Sequence, residues 1–289
     1  MNDDLKKMEQ VRINAIFWSF GAVTLGVLIA IINLFVSNSG LFMSGLIIMI
    51  TGLVIGSKKT QYYRRKFKEV FIRDLFKKEF NENVYINWDG MDLLEIEDAF
   101  VIPVGNSNRS DDEIIFDYKG VKIRRSDVLT EKVVNTGKTR STVRLFKGQY
   151  MIFSFPKEIK GFTVIKDNEW LDSKPGGILS GAPDTERVKM ESVEFNEQFA
   201  VFSNDPQEAF YLLTPQLMEI LLDFRKTYGV EVYFGFVRNE FHVAINSDEN
   251  LFEPALLKPV TKVSVDIYNN DIARMKRIVE QLELIKEEN

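Results

Sequence analysis

The chain contains no cysteine and a single histidine, His242. The first absence removes disulfides, thiolate zinc sites and cysteine nucleophiles together. The second rules out a histidine-rich metal site and leaves any Ser-His-Asp triad dependent on one residue. A nucleotide motif is missing too. Gly137-Lys138-Thr139 has the end of a Walker A loop, but the glycine required five residues before Gly137 is replaced by Lys132. The polar run Asn106–Glu113 lacks the glycine turn and the spaced ligands of an EF-hand. No catalytic, cofactor-binding or metal-ligating residue is therefore assigned, and no cofactor is expected. Net charge is −5 over 289 residues, which gives no field favouring nucleic acid.

Charge is also absent from Ile13 to Gly56. Two apolar runs, Ile13–Val36 and Leu41–Ile55, flank Ser37-Asn38-Ser39-Gly40. A helix needs about 20 apolar residues to cross the hydrocarbon core. The first run satisfies that; the second is short unless Gly40 and Gly56-Ser57 lie at the interfaces. The expected anchor is a transmembrane hairpin within residues 1–57, with spans near 13–36 and 40–57. A cleaved signal peptide fits poorly, because the run is too long and a second one follows at once. Gly45, Gly52 and Gly56 fall on one face of the second span, where small residues let helix backbones approach. That face serves either the hairpin itself or a homo-oligomer.

Lysine and arginine set the orientation. Lys6, Lys7 and Arg12 precede the first span, the connecting turn has none, and Lys58, Lys59, Arg64, Arg65, Lys66 and Lys68 follow the second. Both termini are expected in the cytoplasm, with the protein in the cell membrane. Residues 58–80 read as a basic juxtamembrane helix with Phe67, Phe71 and Leu75 as its apolar stripe. Its six leading cations are the candidates for contact with the bilayer and with anionic lipid headgroups.

Residues 81–270 read as a β-rich α+β domain, divided into two halves near 172–187, where Pro175, Gly176, Gly177, Gly181 and Pro183 gather. Strands are expected at Met91–Pro103, at the hairpins Ile114–Tyr118/Val121–Arg125 and Asp127–Val134/Ser141–Phe146, and at the pair Met151–Phe155/Phe162–Lys166. Val188–Phe195 and Phe199–Ser203 continue the pattern. Asp205-Pro206 and Thr214-Pro215 each read as an N-cap followed by proline in the first helical turn, and Gly229 as a helix stop. Val230–Phe236 and Phe241–Ile245 form a further hairpin. Alternation puts His242 opposite Phe241 and Val243, on the polar face. Asp271 reads as the cap of a last helix, residues 271–289, with Ile272, Met275, Val279, Leu282 and Ile285 as its seam.

The order hairpin, basic stalk, Phe146-Lys147-Gly148 and Glu194–Phe224 resembles a bacterial membrane-protein family known only as domain of unknown function three-one-three-seven. The most distinctive part is Phe195, Phe199, Val201, Ser203, Asp205, Ala209 and Leu213-Thr214-Pro215. The resemblance implies a membrane location and a cytoplasmic α+β domain. It implies no activity and carries over no site residues. The reading that follows is a membrane-anchored cytoplasmic binding or scaffold protein with an unidentified protein partner. The alternative is a membrane-tethered hydrolase using carboxylates among Glu95, Glu97, Asp98, Asp111, Asp112 and Glu113.

Overall fold

A computed structural model of the chain describes residues 2–36, 39–80, 84–137, 139–154, 159–168, 183–247, 254, 256, 257, 259 and 262–287. The fold is mixed α and β, in two compact units. The first comprises Met1–Lys78 with Leu251–Asn270, the second Glu79–Asn250 with Asp271–Asn289.

In the first unit, α1 (Asn2–Ile16) passes through a π-helical turn, Phe17–Gly21, into α2 (Ala22–Val36). Helix α3 (Ser39–Lys66) runs back beside them. Residues 37 and 38 lie outside the described residues. The expected shortness of the second span disappears, because α3 starts at Ser39 and continues without a break into the basic segment. The helical stretches Lys6–Asn33 and Phe42–Phe80 are both long and apolar enough to cross a membrane.

After α3 comes a second π-helical turn, Phe67–Ile72, and then α4 (Arg73–Phe80). This turn corrects the expected stripe. Residues four apart share a helix face, so Tyr63 and Phe67 would be followed by Phe71 and Leu75. A π turn inserts one residue and rotates everything after it. Tyr63, Phe67, Ile72 and Phe76 are buried and Leu75 is only half-buried; the Phe71 side chain lies outside what the structure describes. Helix α1 packs against α3 and this turn, and Arg12 donates to the carbonyl of Leu256 at 2.8 Å.

The second unit is built on one nine-stranded antiparallel sheet: β1 (Tyr85–Asn87), β2 (Ser107–Tyr118), β3 (Val121–Asn135), β4 (Arg140–Ser154), β5 (Thr163–Asp167), β6 (Glu186–Val188), β7 (Phe199–Ser203), β8 (Val232–Val237) and β9 (Glu240–Asn246). Spatial order is β1-β2-β3-β4-β9-β8-β5-β7-β6. Tight turns act where expected, with positive φ at Lys119-Gly120 and at Arg238-Asn239. Gly148 is required by contact: a Cβ there would lie 1.9 Å from the carbonyl oxygen of Ile245 on β9.

Helices cover the sheet on one face. Helix α7 (Pro206–Leu212) is capped by Asp205 and α8 (Pro215–Tyr228) by Thr214, and Gly229 closes α8 with φ 60°. Phe224 of α8 meets Phe234 of β8 edge-on at 6.2 Å. Helix α9 (Lys262–Glu287) contributes its residues from Asp271 onward to this unit, burying Ile272, Met275, Val279 and Leu282. The other face is covered by residues 91–102, where Met91, Ile96, Ala99, Val101 and Ile102 pack on Val128, Phe146, Tyr150, Ile152, Tyr233 and Ala244.

Several expectations yield to this arrangement. Met91–Pro103 contains helix α5 (Leu93–Asp98), capped by Asp92, and no strand. The polar run from Ser107 to Glu113 is the first half of β2, because pairing with β3 outweighs weak strand propensity there. Strand β5 pairs with β7 and β8, not with the end of β4. Of the next expected strand, Val188–Phe195, only Val188 lies in a strand, as the last residue of β6 (Glu186–Val188); Ser192 caps helix α6 (Val193–Gln198) instead. Asp271 caps nothing, since α9 begins nine residues earlier, at Lys262. The expected loop 172–187 lies outside the described residues as far as residue 182.

Candidate functional site

The helical hairpin has an interior made by glycine. A Cβ at Gly52 would stand 2.5 Å from Ala22 Cβ, one at Gly56 2.6 Å from Ser19 Cα, and one at Gly45 3.0 Å from the Gly26 carbonyl oxygen. Gly26, which the sequence reading did not single out, sits opposite Gly45 at the same closeness. Backbone therefore meets backbone along the whole crossing, and Ser19 and Thr60 hydroxyls lie 3.3 Å apart at its end. All three predicted glycines face the opposing helical segment within the hairpin.

The exterior is the reverse. Phe17, Leu28, Val36, Ile47 and Leu53 each expose more than half of their surface. Beside Gly26 and Gly45 lies an open groove walled by Val27, Ala30, Phe42, Leu46 and Met49, with almost no polar surface. Exposed apolar surface on this scale marks a face that meets a membrane or another protein.

The basic collar divides into exposed and buried members. Lys58, Lys59, Arg64 and Arg65 are exposed, as are Lys6 and Lys7 of α1. Lys66 is half-buried and pairs with Glu69 at 3.1 Å. Lys68 is buried, so it cannot reach a surface.

On the sheet, polar side chains gather in three places. The first lies on the face covered by α5, where Arg124 binds both Glu95 and Glu113. Burial alone would push its guanidinium down, but those two hydrogen bonds outweigh it and hold it raised. Glu113 also takes a bond from Asn87 at 3.3 Å. Three further acids of the hydrolase reading are engaged as well: Glu97 accepts from Asn108 at 2.7 Å, Asp111 pairs with Arg109 at 3.0 Å, and Asp98 lies 3.7 Å from Arg238. Among the described residues no group of three or more His, Cys, Asp or Glu could hold a metal ion.

His242 belongs to the same face. It does oppose Phe241 and Val243, but that face is covered rather than polar, and the imidazole is 1% exposed. Its Nδ1 lies 2.9 Å from the Tyr150 hydroxyl and its Nε2 3.5 Å from Glu240. Burial pushes the Tyr150 phenol well above its ordinary range. A shielded Tyr–His pair of this kind is a core element.

The second cluster is a buried lysine, Lys166 of β5. Burial lowers its ammonium to about 8, with Glu231 partly opposing the shift. The third lies under α8 and α9. Arg125, fully buried, donates to Gln149 at 3.2 Å and to Asp127 at 3.2 Å. Asp271 accepts from Tyr228 at 2.7 Å and from Arg274 at 2.9 Å. Burial raises the Asp271 carboxyl; the Tyr228 hydrogen bond and the charges of Arg125 and Arg274 oppose that rise. Sequence reading missed all three clusters, because none forms a contiguous motif.

Residues 144–284 match the model of a family described as "Protein of unknown function (DUF3137)". The resemblance carried by Phe146–Gly148 and Glu194–Phe224 is thus shown, from β4 into α9. No curated protein matches the chain. Among solved structures, the crystal structure of the mycobacterial trehalose monomycolate transport factor A, TtfA, is similar at 9% identity and a TM-score of 0.41, over 73% of this chain and 94% of that one. A likeness this faint carries no argument about what the present chain does.

Proposed function

We propose that this chain, which carries the DUF3137 domain over residues 144–284, is a membrane-anchored binding protein whose soluble domain is held at the cytoplasmic surface. The observation that carries this reading is the inverted hairpin, with glycine and alanine inside and Phe17, Leu28, Val36, Ile47 and Leu53 outside. In hydrocarbon such helices keep every backbone hydrogen bond and lose no apolar surface to water. The cations at its two charged segments favour the orientation with Lys6, Lys7, Lys58 and Lys59 in the cytoplasm, near anionic headgroups. The sheet domain supports binding rather than chemistry, because the acids a hydrolase would use already serve arginine or asparagine partners.

The absence of cysteine makes the test direct, since any introduced thiol is unique. Membranes holding the full chain are extracted with alkaline carbonate, and Ser39→Cys and Asp117→Cys variants are treated with an impermeant maleimide on intact cells. The protein stays in the pellet, Ser39→Cys is labelled outside, and Asp117→Cys is labelled only after permeabilisation. Release by carbonate, or labelling of Asp117→Cys on intact cells, overturns the reading.

A further inference from the structure

The β3–β4 hairpin outruns both of its neighbours. Strand β2 stops pairing with β3 at Ser107–Glu131, and β9 pairs with β4 only from Gly148 onward. Between those limits Lys132, Val133, Val134 and Asn135 pair with Val143, Thr142, Ser141 and Arg140 alone. Among the described residues this two-stranded ribbon is open on both faces. Val134 is 42% exposed and Val143 52% exposed, diagonal neighbours two register positions apart on the same side. Isolated two-stranded ribbons are marginal in water, so a protruding one gains from a third strand.

Its two edges are treated differently. The β3 edge is closed by a side chain: Asn106 accepts from the Val133 N–H at 2.7 Å and donates to the Val133 carbonyl at 2.9 Å, as a paired strand would. The β4 edge over Arg140–Val143 has no strand beside it except β3 among the described residues. The ribbon is also basic in an acidic protein. Lys132, Lys138, Arg140, Arg144 and Lys147 follow one another with no Asp or Glu between Glu131 and Glu158, while the whole chain carries −5.

We propose that the β4 edge at Arg140–Val143 takes an extended acidic peptide segment of a protein partner as an added strand. This rests on the reading of the domain as a binding module and names its surface. Strand addition draws its affinity from backbone hydrogen bonds and its selectivity from alternate side chains. Carboxylates of the incoming segment face the ribbon's cations, and its aliphatic residues lie on Val134 and Val143. A second copy of this chain is disfavoured, because edge-to-edge pairing would set like charges against each other. A headgroup would use the cations but leave the strand edge and the valines without a role.

The test uses the full chain in nanodiscs of neutral phosphatidylcholine. The probe is a short fluorescent peptide alternating glutamate and valine, read by anisotropy. A second peptide has the same sequence with every other amide N-methylated, which keeps the charge and removes one hydrogen-bonding edge. The parent peptide binds, and N-methylation weakens it by about tenfold or more. Amide exchange at Thr142, whose register partner Val133 turns its own amide away from β4, slows on binding, and Lys132→Glu with Arg140→Glu abolishes it. Equal binding of both peptides overturns the proposal in favour of charge alone. Displacement of the parent peptide by phosphatidylglycerol vesicles, with no effect of N-methylation, overturns it in favour of a lipid surface. No binding by either peptide overturns it outright. Membrane retention and maleimide labelling do not involve the ribbon, so failure here is separable from failure of the anchor.

Discussion

Tyr228, the last residue of α8, donates its hydroxyl hydrogen to Oδ1 of Asp271 on α9 across 2.7 Å. The Arg274 guanidinium lies over the Tyr228 ring at 5.0 Å and donates to the same oxygen. Asp271 is 3% exposed and is attracted to Arg125, itself buried beneath. Removing one partner of a buried charged set costs about 3–5 kcal/mol. Asp271→Ala is expected to lose stability on that scale. Asp271→Asn keeps an acceptor for Tyr228 and loses less, on the order of 1–3 kcal/mol. Urea unfolding of the detergent-solubilised chain measures both; equal midpoints for wild type and Asp271→Ala would remove the cluster from the fold's supports.

Lys166 gives the domain an unusual alkaline response. Its ordinary value of 10.5 falls to about 8 in the folded chain, chiefly through burial. Between those values the unfolded chain holds a proton that the folded one has released. Stability therefore rises with pH across that window, by at most about 1.4 kcal/mol per unit. Below pH 8 the buried charge is a standing cost. Lys166→Met is expected to stabilise the domain at neutral pH and to flatten the rise. Denaturant midpoints at pH 7, 8.5 and 10 for both proteins decide it; parallel curves would show that Lys166 is not the titrating group.

The hairpin tolerates no side chain at its crossing. A Cβ at Gly52 meets Ala22 Cβ at 2.5 Å, whereas one at Gly21 finds only the Phe17 ring, no nearer than 3.6 Å. Gly52→Leu is expected to cost about 1–3 kcal/mol through overpacking and to part the helices. Gly21→Ala should be close to neutral. Thermal melting in detergent separates them, and a matching loss at both positions would mean that glycine acts here through flexibility instead of contact.

The collar's cations divide by exposure. Lys58→Glu with Lys59→Glu is expected to weaken attachment of the collar to anionic lipid by roughly 1 kcal/mol per charge, without unfolding the unit. Lys68→Glu places a second sign of charge in a buried position and is expected to destabilise the helices instead. Melting temperature together with partition of spin-labelled collar residues between neutral and phosphatidylglycerol nanodiscs distinguishes the two effects. A lipid-dependent change from Lys68→Glu with unaltered melting would contradict its burial.

Local chemistry was legible wherever it acts within a few residues. Asp205 and Thr214 bond the backbone N–H groups of Glu208 and Leu217, three positions on, so the sequence alone announces α7 and α8. Gly229 and the turns at Lys119-Gly120 and Arg238-Asn239 follow from the φ values those positions need. Asp271 misled for the same reason: an aspartate before an apolar seam reads as a cap. Besides Arg274, three residues on, it answers to Tyr228 and Arg125, both far away in sequence. The π turn at Phe67–Ile72 left no trace in composition, yet past it Ile72 and Phe76 are buried while the expected Leu75 is only half-buried.

The uncharged stretch Ile13–Gly56, the cationic flanks, the missing cysteines and the helix caps are properties of the chain itself. They specified two apolar helices and an α+β domain without thiol chemistry, because hydropathy, charge and capping act over one or two turns. Tertiary structure alone decided which side of each element is covered. Strands β5, β7 and β8, and β9 from Phe241 to Ile245, are buried on both faces, which erases the alternation that would have placed His242 toward water. It also decided where pairing stops: β2 and β9 end short of the β3–β4 tip, leaving Arg140–Val143 at an open edge that no local rule could mark.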